Sequence, residues 1–196
     1  SERILGENLF DFAMTKYPLL AQEQKEKLFV RFGRLAFLDL VMGNTDRFIR
    51  VGKFAEKEEY ALEALEANLG NVMLVWQPDS EENRSVNVYA IDNGICANLA
   101  KNSVERELYS QFLKELLQDR PKMTAQLADH MVEYSLLALE TQADDAKGNI
   151  KELNQKLEAF RQDLEQIAGP AFAKGIEQMA ETLKNDLLPL WRSARA

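Results

Sequence analysis

Three polar residues stand where regular elements are expected to end: Asp46, Asn71 and Asp92. Asn71 precedes an apolar, β-branched run at 72–76, and Asp92 follows a second such run at 85–91. If these runs pair as an antiparallel hairpin, the residue before the first strand and the residue after the second come to the same end. An amide oxygen and a carboxylate held side by side on turns make a hard-oxygen pocket. Such a pocket suits a divalent cation such as magnesium, with phosphate oxygens completing the shell. Asp46, delivered by the end of a helix, would add a second carboxylate able to orient or deprotonate a hydroxyl. Arg47 beside it would neutralise phosphate charge or tether Asp46.

Each of these residues also has an ordinary structural reading. Asp92 opens an Asp-Asn-Gly turn, Asp46 could pair with Arg47 or Arg50, and asparagine before a strand is common turn chemistry. Arg47 is read as more structural than catalytic. Other chemistries are closed off by composition. With one cysteine, Cys96, no internal disulfide forms, and with one histidine, His130, the chain cannot assemble a paired-histidine or cysteine-rich metal site. His130 lies in a helical pattern with no nucleophile motif beside it and reads as a helix-surface residue. Cys96 reads as a small buried hydrophobe.

The 196 residues carry 24 Lys and Arg against 32 Asp and Glu, a formal charge of −8, with 46% hydrophobic residues. That is the composition of a soluble globular chain, long enough to bury a core without staples. No basic stripe stands out to neutralise a phosphate backbone, so no nucleic-acid partner is expected. No apolar stretch approaches the ~20 residues of a membrane span, so no transmembrane segment is expected, and a cytoplasmic location follows as the working expectation.

The elements that must position these residues are mainly helical. Residues 1–15 read as a loop entering a short helix punctuated by Pro18. From Glu23 to Met42, Leu28, Phe29, Phe32, Leu35, Ala36, Asp39 and Leu40 recur at helical spacing. Gly43-Asn44 ends that helix. Residues 51–68 read as a short exposed helix, because alanine, leucine and glutamate recur at helical spacing. The runs at 72–76 and 85–91 form one hairpin, expected to be the sole β structure, with Trp76 and Tyr89 packing on it. Helices are expected over 104–118 and 122–142, followed by a polar turn at 143–148. Ile150, Leu153, Leu157, Phe160, Leu164 and Ile167 then make a heptad seam. Gly169-Pro170 is expected to break it, so that Phe172, Ile176, Met179, Leu183, Leu187 and Leu190 return as the second arm of an antiparallel helical hairpin. The seam serves either packing within the domain or a partner-binding zipper.

The order of these motifs resembles the lower lobe of the protein-kinase-like superfamily: a catalytic aspartate, a metal-binding asparagine, then a metal-binding aspartate in an Asp-x-Gly turn. Gly43-Asn44-Thr45-Asp46-Arg47-Phe48 and Ala90-Ile91-Asp92-Asn93-Gly94 are similar to the signatures of the atypical branches containing actin-fragmin kinase and type II phosphatidylinositol 4-kinases. Gly70-Asn71-Val72-Met73-Leu74 is similar to the asparagine-plus-strand segment between them. Residues 2–9 are similar to the stretch that leaves the interlobe hinge. The resemblance covers about residues 1–100 by motif. The interval from Asp46 to Asn71 departs from the protein-kinase pattern, making 51–68 an insertion and Asn44 the substitute candidate for the metal-binding asparagine.

The resemblance implies a kinase-like C-terminal lobe over 1–142, with its catalytic segment at 43–94, and a helical hairpin at 143–196 packed on or extending that lobe. It implies ATP and Mg2+ as cofactors, Asn71 and Asp92 as metal and nucleotide ligands, and Asp46 with Arg47 as catalytic residues. The acceptor would be a hydroxyl of a protein substrate, with a phosphoinositide as the second choice. The alternative is a pseudokinase or helical protein-interaction module. No glycine-rich loop or strand lysine paired with a helix glutamate precedes these motifs. The 196 residues are therefore expected to be a fragment cut near the hinge at Ser1, lacking the N-lobe and inactive or nearly so by themselves.

Overall fold

The computed structural model describes residues 6–44, 47–54, 56–63, 68–77, 85–91, 102–145 and 150–187. The chain is mainly helical with two small antiparallel sheets. Strand β1 (Glu7–Asn8) leads into helix α1 (Leu9–Thr15), whose cap is Asn8: its Oδ1 accepts the Asp11 N–H at 2.8 Å. A 3₁₀ turn, Tyr17–Leu19, uses Pro18 where no backbone donor is needed. Helix α2 (Gln22–Met42) then crosses the molecule, burying Leu28, Phe29, Phe32, Gly33, Ala36, Phe37 and Leu40 along one stripe.

Gly43 ends α2 as the pattern predicts. It takes φ 73°, its N–H donates to Leu40, and the Asn44 N–H reaches back to Asp39 at 2.8 Å. This pair of bonds is a Schellman cap, which only a residue at ease in the left-handed region forms cheaply.

The segment after it does not form the expected helix. Strands β2 (Val51–Phe54) and β3 (Glu59–Leu62) pair antiparallel, with Val51 opposite Leu62 and Lys53 opposite Tyr60. Its alanine and glutamate content favours helix, but a segment this short is marginal as an isolated helix in water. Tertiary contacts decide instead. Val51, Lys53, Tyr60 and Leu62 share one face of the ribbon. That face docks on helix α3 (Ser103–Gln118), where Glu105 accepts from both Lys53 and Tyr60 at 2.5 Å. Tyr60 meets Tyr109 edge to face, and the Tyr109 hydroxyl donates to the Leu40 carbonyl at 2.8 Å.

The second hairpin is the expected one. Strands β4 (Val72–Gln77) and β5 (Ser85–Ala90) pair with Val72 opposite Ala90 and Trp76 opposite Val86. β1 adds to the outer edge of β4, giving the order β1-β4-β5. Val72 and Leu74 point into the core, and Trp76 packs on Phe12 of α1.

Helix α4 (Arg120–Asp145) follows α3 after the single residue Asp119, with Pro121 in its first turn, where proline is tolerated. It extends into the region expected to be a turn. Beyond it, helix α5 (Ile150–Asp163), a π-helical stretch (Leu164–Ala168) and helix α6 (Gly169–Thr182) form one helical run, with αR dihedrals at Ala168 and Gly169. The expected reversal at Gly169-Pro170 is absent. Proline removes one backbone donor and crowds the preceding turn, and the wider π turn just before it accommodates that defect without ending the helix.

The two apolar stripes consequently find different partners. α5 sets Phe160 against Tyr17, with ring centroids 4.7 Å apart, while α6 lies along α2. Phe29 sits among Tyr17, Phe32, Phe160 and Phe172 at the centre of this core. The crossing of α2 and α6 depends on glycine. A Cβ on Gly33 would fall on the Phe172 carbonyl, and one on Gly175 on the Val30 carbonyl. No helix among the described residues is long and apolar enough to cross a membrane.

Candidate functional site

The candidate site gathers where α2, the turn before β4 and the end of β5 meet. Arg47 is the centre of that junction. It is 1% exposed, and its Nη1 donates to both carboxylate oxygens of Asp39, the last buried polar residue of α2. Its Nε donates to the Asn71 carbonyl at 3.0 Å and its Nη2 to the Ile91 carbonyl at 2.9 Å. The Ile91 N–H in turn donates to the Asn71 carbonyl at 3.1 Å. One guanidinium thus ties together three chain segments that are far apart in sequence.

Of the two readings of Arg47, this geometry bears on the structural one. A guanidinium with no exposed surface and with bonds to Asp39, Asn71 and Ile91 does not face a phosphate. It ties these three segments together, in line with the structural reading of it. Asp46 and Asp92 lie outside the described residues, as does Cys96. Their chain neighbours Arg47 and Ile91, together with Asn71, are brought within hydrogen-bonding distance of one another.

Asn71 closes the 3₁₀ turn Leu69–Asn71 immediately before β4, so its carbonyl is fixed by two donors. Asn44, the substitute candidate, is buried, and its Nδ2 donates to Asp39 Oδ1 at 3.3 Å. Asn44 therefore belongs to the support of Asp39, and Asn71 is the asparagine adjoining the end of β5. An amide oxygen and carboxylates are hard ligands of the kind magnesium takes, with waters and phosphate oxygens filling the remaining positions.

Asp39 is the residue that sequence reasoning missed. It stands in the apolar stripe of α2, between Ala36 and Leu40, where a carboxylate has no place unless something inside the protein receives it. That misplacement was the available signal. Burial raises the Asp39 pKa, while the Arg47 guanidinium and the Asn44 amide act in the opposite direction.

The segment between Asp46 and Asn71 is held as well. Arg50 accepts the Glu63 N–H through its carbonyl at 3.0 Å, closing the β2–β3 ribbon, and Glu105 clasps its inner face to α3. His130 packs against Tyr134 at 5.0 Å and is half-buried on α4, with no hydrogen bond to its Nδ1 among the described residues. Among the described residues, no group of three His, Cys, Asp or Glu side chains is placed to hold a metal. Comparison of the chain with family models, curated proteins and solved structures finds no match.

Proposed function

We propose that this chain is the lower-lobe part of an ATP-dependent phosphotransferase of the atypical kinase kind, acting on a hydroxyl of a protein substrate. Asp46 orients the acceptor hydroxyl, and Asn71 and Asp92 hold magnesium on the nucleotide phosphates. The observation that carries this reading is the convergence of Arg47, Asn71 and Ile91, the first and last of which adjoin Asp46 and Asp92. Phosphoryl transfer depends on positioning and charge neutralisation, and a knot of hydrogen bonds joining Arg47, Asn71 and Ile91 supports a reading in which their chain neighbours act together. A phosphoinositide is the second choice of acceptor. The alternative is a helical interaction module; against it, Leu157, Phe160 and Leu164 of the seam are buried and α6 packs along α2.

Magnesium-dependent ATP binding by the protein together with its upper lobe tests the proposal. Wild type should bind, and Asp92→Ala should lose binding while Asp46→Ala keeps it and loses transfer. Equal ATP binding by wild type and Asp92→Ala would overturn the reading.

A further inference from the structure

A cleft of about 520 Å³ opens between α2 and β5, and Arg47, Asp39, Asn71 and Ile91 are not among the residues that line it. Arg31 and Arg34 stand one turn apart on α2 and both line it. Asn87 and Tyr89 come from β5, and Leu38 and Met179 supply an apolar wall. No carboxylate lines this cleft among the described residues, although the chain carries a net charge of −8. Neither arginine forms an ion pair among those residues. Arg31 donates one Nη1 bond to the neutral Val86 carbonyl, and Arg34 is exposed. Arg34 also borders a second hollow that holds Glu181, but that carboxylate is occupied by Arg120 at 2.9 Å and Asn185 at 2.7 Å.

Two guanidinium groups with no ion pair among the described residues, set beside an apolar wall and two neutral hydrogen-bonding side chains, match an anion with an apolar body. We propose that this cleft is a binding site for a small organic monophosphate. The phosphate lies between Arg31 and Arg34, where planar guanidinium groups give paired donors to its oxygens. The body of the ligand lies against Leu38 and Met179, and Asn87 and Tyr89 offer polar contacts at its rim. The volume falls in the range of small-molecule pockets, roughly 300–1,000 Å³. The site does not rest on the phosphotransferase reading, since it uses neither Asp46, Asn71 nor Asp92.

Phenyl phosphate, titrated into the full chain without magnesium and followed by calorimetry, tests the proposal. Saturable binding is expected, tighter than that of inorganic phosphate, with phenol showing none. Arg34→Ala should weaken it roughly tenfold or more, the loss typical of a charge-assisted contact. Arg34 is exposed, so this variant should fold, and circular dichroism checks that it does. Arg34→Lys should recover part of the affinity, and Asp92→Ala should leave it unchanged. Absence of saturable binding, or equal affinity in wild type and Arg34→Ala, would overturn the site. Loss of phenyl phosphate binding in Asp92→Ala would also overturn it, by moving the ligand to the magnesium site.

Discussion

Arg47 grips both carboxylate oxygens of Asp39 inside the protein, and the same guanidinium holds the carbonyls of Asn71 and Ile91. A buried pair of this kind is costly to break on one side only, because the partner is left charged and unpaired. Arg47→Met should therefore destabilise the fold by about 3–5 kcal/mol. Asp39→Asn should do likewise, and thermal denaturation measures both. The double variant Asp39→Leu with Arg47→Met should recover much of that stability, yet remove the Arg47 donor from the Ile91 carbonyl and leave the Asn71 carbonyl with the Ile91 N–H but not the guanidinium. Amide exchange at Ile91 should then be faster than in wild type. Additive losses in the double variant would show that the two residues do not act as a pair.

The α2–α6 crossing makes an equally direct prediction. A methyl at Gly33 or Gly175 meets a backbone carbonyl of the facing helix, not a side chain that can swing away. Gly33→Ala and Gly175→Ala should each cost about 1–3 kcal/mol, although alanine is the better helix former at both places. A rise in melting temperature for either would mean that the helices do not approach this closely.

Tyr134 is buried, and its hydroxyl has no hydrogen-bond partner among the described residues. Burial, with Glu133 and Glu63 adding to it, pushes its pKa up to about 12. The folded pKa lies above the unfolded value of 10.0, so the protein holds its stability below that pH and loses it as pH rises from there toward the folded value. Tyr134→Phe removes an unsatisfied donor and the titration with it. The variant should be as stable as wild type or up to about 1 kcal/mol more stable at neutral pH, with a shallower alkaline decline in melting temperature.

The clasp between the β2–β3 ribbon and α3 should be sensitive to acid. Lys53 and Tyr60 hold the Glu105 carboxyl below its ordinary pKa. A depressed folded pKa gives stability that is present above the unfolded value of 4.5 and is lost as pH falls through the folded one. Amide protection factors in residues 51–54 and 59–62, taken relative to the intrinsic exchange rate at each pH, should fall across that acid range in wild type. In Glu105→Gln the protection factors should already be low at neutral pH and change little on acidification.

Tyr17, Lys25 and Asp163 form a further linkage. The Tyr17 hydroxyl and Lys25 Nζ both donate to Asp163 Oδ2, at 3.0 and 2.7 Å, with Lys25 4.9 Å above the Tyr17 ring. Asp163→Ala removes the acceptor shared by a buried hydroxyl and a half-buried ammonium, and should cost roughly 1–3 kcal/mol in chemical denaturation. Tyr17→Phe, which keeps the ring contact with Phe160, should cost less.

Local patterns in the chain were sufficient for α2 with its Gly43 stop, for the β4–β5 hairpin and for the helix that opens at 103. In each, periodicity and turn chemistry agree with the tertiary packing. They also marked Asn71 and Ile91-Asp92 as the two ends of one hairpin, because antiparallel pairing leaves no other arrangement. Residues 51–62 were misread because their composition favours helix, while Glu105 and Tyr109, more than forty residues later, make the ribbon worth forming. Gly169-Pro170 was misread for a related reason. Those two residues weaken any helix, but a π turn absorbs the defect when α6 can continue onto α2.

The partnership of Asp39 with Arg47 was beyond local pattern altogether. A carboxylate in an apolar stripe announces that a cation must be found for it, but not which of the 24 lysines and arginines supplies it. Only the folded chain decides that, because the choice depends on where the Schellman cap at Gly43 sends the backbone and on which carbonyls lie within reach when it arrives.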